Sequence, residues 1–155
     1  MPYFTHKKMV QWISEAGIQL GYQVQTERRS RINGKVFQID CAWVKNGKVS
    51  AFVEAEHRWE TNHIIGHLTC CSAYAHHENI KPYFILVYLE NGAKLSKRLY
   101  NTWKWLQEFL PPSLVVKALP IQISKDNEDQ RGLRASRITK DEFAQEFERL
   151  MNGDS

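Results

Sequence analysis

The sequence predicts an α/β protein with a mixed central sheet flanked by helices, and three observations carry that expectation. The stretch Val36–Trp59, VFQIDCAWVKNGKVSAFVEAEHRW, reads as a hairpin. Two runs rich in β-branched and aromatic residues meet at Asn46-Gly47, a pair suited to the positive φ of a tight two-residue turn. The run Lys81–Leu89, KPYFILVYL, is almost continuously apolar, as a strand covered on both faces requires. Around these strands, apolar residues recur at helical spacing.

At 155 residues, with 43% of them apolar, the chain is long enough for one domain with its own core. We expect a single unit, with a core over about residues 5–90 and a helix-strand-helix extension over about 93–152. The formal net charge of +4 and a pI near 9.0 allow an anionic partner without demanding one. Neither a secretory leader nor an apolar run of membrane-spanning length is evident, so a cytoplasmic protein with no membrane partner is expected. Cys41, Cys70 and Cys71 are odd in number and lack zinc-ribbon spacing, which suits reduced thiols.

In chain order, Thr5 caps a helix reaching about Leu20, with Met9, Val10, Ile13, Ala16, Gly17 and Leu20 as its apolar stripe and Gly21 as its stop. His6 falls on the inward side of that wheel and Glu15 on the outer side. Tyr22–Glu27 reads as a short strand, followed by Arg28, Arg29 and Arg31 and a second turn signal at Asn33-Gly34. After the central hairpin comes a helix over Thr61–His77, with Ile64, Ile65, Leu68, Cys71 and Ala75 buried. Its second face carries His63, His67, Cys70 and Tyr74. His63 and His67 have the i, i+4 spacing of paired metal ligands, but Ile64 stands where a zinc-protease helix needs Glu, so a solvated or phosphate-facing surface is the expectation there. The strand Lys81–Leu89 ends at Asn91-Gly92. A third helix follows, with Leu95, Leu99, Trp103, Leu106 and Leu110 on its stripe, Lys94, Lys97, Arg98 and Lys104 outside it, and Pro111-Pro112 closing it. Val115–Ile123 is another strand, and Lys125–Arg137, with Arg131, Arg134 and Arg137, reads as a mobile basic loop. Thr139 with Glu142 forms a capping box for a last helix carrying Phe143, Phe147 and Leu150.

The acids of the central hairpin need an explanation, because carboxylates are depleted in strands and costly to bury unpaired. Glu54 and Glu56 share one face by strand alternation. A plain turn at Asn46-Gly47 sets Asp40 opposite Val53 and one place from Glu54, and a one-residue bulge or splayed strand ends would bring Asp40 and Glu54 together. A divalent cation with hard oxygen ligands removes the cost of such a cluster.

The segment IDCAWVKNGKVSAFVEAEH resembles the core motif of the PD-(D/E)XK nuclease superfamily. In that motif an Asp on the second core strand and an acid-X-Lys on the third surround one or two Mg²⁺ ions. The resemblance covers about Thr5–Leu89, the αβββαβ restriction endonuclease-like core, with Asp40 matching the first acid and Glu54 the second. It departs at the last position, where Glu56 replaces the usual lysine. Some active restriction enzymes of the superfamily share this acid-X-acid form.

The resemblance implies a metal-dependent endonuclease acting on nucleic acid, with DNA the expected substrate. Asp40, Glu54 and the carbonyl of Ala55 would hold Mg²⁺ or Mn²⁺, with Glu56 as the general base and His6 as an accessory group; Glu27 reads most simply as a surface ion-pair partner of the arginines that follow it and is the second accessory candidate. Arg28, Arg29, Arg31, Arg58 and the helix start near Thr61 would face phosphate. Two alternatives stand beside it: a nucleic-acid-binding protein on a degenerate nuclease fold, and a zinc protein centred on His63 and His67. Duplex cleavage calls for a homodimer and nicking for a monomer.

Overall fold

The computed structural model describes residues 3–56, 60–90, 95–122, 128–129, 132–134 and 139–153. Its elements run β1 (Tyr3–Phe4), α1 (His6–Gln19), β2 (Gln23–Ile32), β3 (Lys35–Lys45), β4 (Lys48–Glu56), α2 (Thr61–His77), β5 (Tyr83–Glu90), α3 (Leu95–Leu106), β6 (Val115–Gln122), β7 (Glu128–Asp129), β8 (Gly132–Arg134) and α4 (Lys140–Met151). Strands β2 to β6 form one mixed five-stranded sheet in chain order.

Two turns set the antiparallel half of that sheet. Asn33-Gly34 (φ 48° and 82°) folds β3 back on β2, and Asn46-Gly47 (φ 54° and 76°) folds β4 back on β3. Two successive left-handed residues give the backbone twist that matches paired strands. β5 then joins β4 in parallel and β6 joins β5 in parallel, with α2 and α3 as the crossovers that parallel pairing needs.

Helices cover both faces, which accounts for the unbroken apolar run of β5. On one face α1 and α4 pack Met9, Trp12, Ile13, Phe143 and Phe147 against Trp43, Val53, Ile85 and Leu119. On the other, α2 and α3 pack Ile64, Leu68, Leu99 and Trp103 against Phe52, Phe84, Leu86 and Val116. The Thr5 hydroxyl accepts the Lys8 N–H at 3.2 Å and starts α1, and Gly21 at φ 92° lies just past its end. Within α1, a Cβ on Gly17 would stand 2.5 Å from Nε1 of Trp43, so only glycine lets the helix lie this close to β3.

Two irregularities shape the sheet where the acids sit. Pairing runs Lys45↔Lys48 and Val44↔Val49, then shifts to Trp43↔Ala51, leaving Ser50 as the extra residue of a bulge. Beyond it Cys41 pairs with Val53, which brings Asp40 level with Glu54, the arrangement a bulge is expected to give. In β2, Glu27 adopts φ 51°, and the ladder with β3 passes from Thr26↔Cys41 to Arg28↔Ile39. Both strands change face there. Val24, Cys41 and Trp43 pack on the α1 side, whereas Ile32, Phe37 and Ile39 pack on the α2 side.

Several expected boundaries move. β2 continues through the arginine run to Ile32, because pairing with β3 extends to the Asn33-Gly34 turn. α3 ends at Leu106, and turn bonds such as Leu106 O to Leu110 N carry the chain on to Pro111. Inside the segment expected as a mobile loop, β7 and β8 pair with each other, and β8 pairs with β1, so this stretch holds a small second sheet. The turn signal Asn91-Gly92 and residues Arg131 and Arg137 lie outside the described residues. Among the described residues, no helix is long and apolar enough to cross a membrane.

Candidate active site

The centre forms where β3 and β4 part. Beyond the Cys41↔Val53 pair, side chains take over the hydrogen bonds that a ladder would make. The Asp40 N–H donates to Glu54 Oε1 at 2.8 Å, and the Ala55 N–H donates to Asp40 Oδ2 at 2.9 Å. Each carboxylate thus satisfies an amide of the opposite strand, which gives two buried N–H groups partners and fixes both acids. Ala55 itself points into the core on the α1 side.

Strand alternation places Glu56 on the same face as Glu54, and both are buried. Oε1 of Glu56 is buried without a hydrogen-bond partner, 3.6 Å from Nδ1 of His63. Because α2 begins just after β4, its first turns lie over the carboxyl end of that strand. His63 and His67, one turn apart, reach down from it. Nε2 of His67 lies 3.5 Å from Glu54 Oε2 and 2.6 Å from Nε2 of His63. From the opposite side, at the start of α1, Nε2 of His6 lies 3.1 Å from Asp40 Oδ2. These groups, with Gln38 and Glu60, line an open cleft of about 480 Å³.

Crowding and burial set the protonation of the centre. Desolvation and the neighbouring charge of Asp40 push the Glu54 carboxyl well above the usual range. The same causes raise Glu56 to about 7. Burial, with His63 adding to it, lowers His67 to about 4, so its imidazole is neutral at ordinary pH. Behind the site, burial raises the Cys41 thiol to about 11. All three cysteines are free.

The expected site residues are distributed as follows. Asp40, Glu54, Glu56 and His6 meet in the cleft. Glu27 is exposed and lines an adjoining cavity of about 420 Å³ on the α1 side, which shares His6 and Asp40 with the first. Arg28 is not among the cleft-lining residues: it donates to Tyr74 Oη on α2 at 2.9 Å, with its guanidinium over the Tyr74 ring, and within β2 to Gln25 Oε1 at 2.9 Å and Ser30 Oγ at 3.3 Å. Arg29 reaches Gln38 at the rim at 3.4 Å, and Arg31 is exposed. Arg58 lies outside the described residues.

The main correction concerns His63 and His67. The second face of α2, expected as solvated or phosphate-facing, is solvated only in part: His63 is half exposed, but His67 is only 15% exposed, and Tyr74 packs on Phe37 and Phe52. The signal that points to them is position. A helix that follows directly on the acid-bearing strand sets its first turns over that strand's end, and both histidines stand beside the buried Ile64 and Leu68.

Ligand atoms of Glu54, His63 and His67 lie within 4.8 Å of one another. The arrangement therefore offers four carboxylates, with Glu60 at the rim, and three imidazoles to one open cleft, a donor set suited to divalent cations and to moving protons. No protein-family model matches the chain, and no curated protein matches it significantly.

Proposed function

We propose that the protein is a metal-dependent endonuclease that hydrolyses phosphodiester bonds of nucleic acid, with DNA the favoured substrate, on a restriction endonuclease-like core. The observation that carries this reading is the reciprocal bonding of Asp40 and Glu54 across parted strands, with Glu56 two residues along the same face of an open cleft. The element order α1-β2-β3-β4-α2-β5 agrees with the resemblance stated above.

The cleft fits a divalent cation. Three neighbouring carboxyls, two of them raised above their usual range by burial and by the charge of Asp40, are what such an ion stabilises. Asp40 and Glu54 would hold Mg²⁺ or Mn²⁺, and the nearby imidazoles favour Mn²⁺ of the two. A bound ion polarises a phosphoryl oxygen and acidifies a coordinated water. The chain's own groups do the rest. Glu56, on the same face as Glu54, accepts a proton from the attacking water and passes it to solvent through the open cleft. His6 holds the Asp40 carboxylate in place, as does the Ala55 amide.

Nucleic acid as substrate is supported by a second groove of about 480 Å³ between α2 and α3, lined by Ile65, Lys97, Arg98, Asn101, Thr102 and Trp105. Trp105 is 53% exposed. An exposed indole there would stack a base while Lys97 and Arg98 hold the adjoining phosphate.

The test is cleavage of single- and double-stranded DNA and RNA with Mg²⁺ or Mn²⁺, with and without chelator. Cleavage should require the metal, and Asp40→Asn or Glu54→Gln should lower it by about a hundredfold or more with the fold intact. Activity that persists in Asp40→Asn would remove the centre from the chemistry. Nucleic-acid binding without cleavage under every metal would assign the fold to binding alone.

A further inference from the structure

We infer that Glu54, His63 and His67 form a site for one imidazole-preferring transition-metal ion of the Zn²⁺ class, beside the hard-oxygen position at Asp40. The inference rests on the geometry of α2 over β4 and holds whether or not the cleft cuts nucleic acid. Glu54 is the bridge between the two positions: Oε1 faces the Asp40 amide at 2.8 Å, while Oε2 faces His67 Nε2 at 3.5 Å.

Two imidazoles and one carboxylate are the donors that Zn²⁺ selects, whereas Mg²⁺ takes oxygen and keeps its water. Ligand atoms on a tetrahedral ion with bonds of roughly 2.0–2.1 Å stand about 3.3 Å apart. The three atoms here already lie within 4.8 Å of one another, and His63 Nε2 and His67 Nε2 are 2.6 Å apart. A small opening of that pair admits the ion, and His63, half exposed at the mouth, has the freedom to give it.

A second observation points the same way. An imidazole that binds metal through Nε2 normally donates its Nδ1 hydrogen to a carboxylate, which fixes the tautomer. Glu56 supplies that carboxylate. Its Oε1 is buried, lacks a hydrogen-bond partner, and lies 3.6 Å from His63 Nδ1. Glu60 Oε2 lies 3.9 Å from the same nitrogen at the surface. Glu56 is therefore a positioning residue for His63 as well as the proton acceptor proposed above. Three protein ligands leave one place of a tetrahedral ion open to water or to an oxygen of a bound molecule.

The experiment uses the full chain, stripped with chelator and free of nucleic acid, titrated with Zn²⁺ and, as a spectroscopic probe, Co²⁺. We expect one equivalent bound, intense visible Co²⁺ bands of a four- or five-coordinate nitrogen and oxygen site, and no displacement by millimolar Mg²⁺. His63→Gln and His67→Gln should each weaken Zn²⁺ by tenfold or more, Glu56→Gln should weaken it less, and a His76→Gln/His77→Gln variant at the far end of α2 should bind as the wild type does. The wild-type Co²⁺ spectrum decides even if a variant misfolds. Binding well below one equivalent, the pale spectrum of a six-coordinate ion, a thiolate charge-transfer band, or equal weakening by the His76/His77 variant would each overturn the assignment. Because no substrate is present, such a failure leaves the cleavage test standing.

Discussion

Burial holds the Glu56 carboxyl at about 7, so the folded chain keeps a proton there that the unfolded chain releases near 4.5. Its contribution to stability therefore falls as pH rises from 4.5 through 7, and the full cost stands above 7. His67 runs the other way. With its value lowered from 6.5 to about 4, it costs nothing above 6.5 and destabilises increasingly as pH falls toward 4. In metal-free protein the two slopes oppose each other between pH 4.5 and 6.5. Glu56→Gln removes one of them, so its thermal stability should equal that of the wild type near pH 4.5 and exceed it by up to about 3 kcal/mol above pH 7. A constant gap across that range would mean that Glu56 does not titrate as its burial requires. The same residue scale shows what the sequence discloses of the site. Asp40, Glu54 and Glu56 are legible because acids are out of place in apolar strands. His63 and His67 are not, because their spacing alone fits an exposed face and only the docking of α2 over β4 turns them inward.

Among elements, β2 carries the most tension between chemistry and architecture. It is an edge strand of ten residues, the kind that invites pairing with another chain, and it is rich in arginine, with a left-handed residue at Glu27 in its middle. Arg28 serves the fold: its hydrogen bond to Tyr74 and the stacking on that ring tie β2 to α2, while its bonds to Gln25 and Ser30 hold the guanidinium along β2. Arg28→Ala should cost roughly 2 kcal/mol and leave the salt dependence of nucleic-acid binding unchanged. Arg29 and Arg31 keep their charge at the surface, so their combined replacement by Ala should lower the slope of log affinity against log salt by about two. The reverse pattern, with Arg28 altering the slope and the other two silent, would exchange these roles. α1 gives a sharper test of packing. Gly17→Ala drives a methyl to within 2.7 Å of both Trp43 and Val24, and although alanine favours helix, denaturant unfolding should show a loss of about 2 kcal/mol or more. A neutral or stabilising result would show that α1 can shift away from β3.

Across the whole molecule, the helices and sheet order are legible because their signals are local: Thr5 and Thr139 as caps, Asn33-Gly34 and Asn46-Gly47 as turns, 3.6-residue stripes for each helix. Pairings between distant segments are not. Nothing near Tyr3–Phe4 announces that it will meet Gly132–Arg134, and the continuation of β2 through its arginines is decided by β3. The site inherits this long-range dependence through α1, which carries His6 and is pinned from outside by α4: Trp12 meets Phe143 edge to face at 5.7 Å, and Lys140 pairs with Glu15 at 3.1 Å. Helices near opposite ends of the described chain thus close on each other over the sheet. On the ribosome, α1 can lie on the sheet but lacks its outer cover until residues 140–151 have emerged, so the helix that brings His6 to Asp40 gains its full packing only after α4 has left the exit tunnel. A nascent chain would therefore carry every residue that lines the cleft before it holds His6 as firmly as the finished fold does.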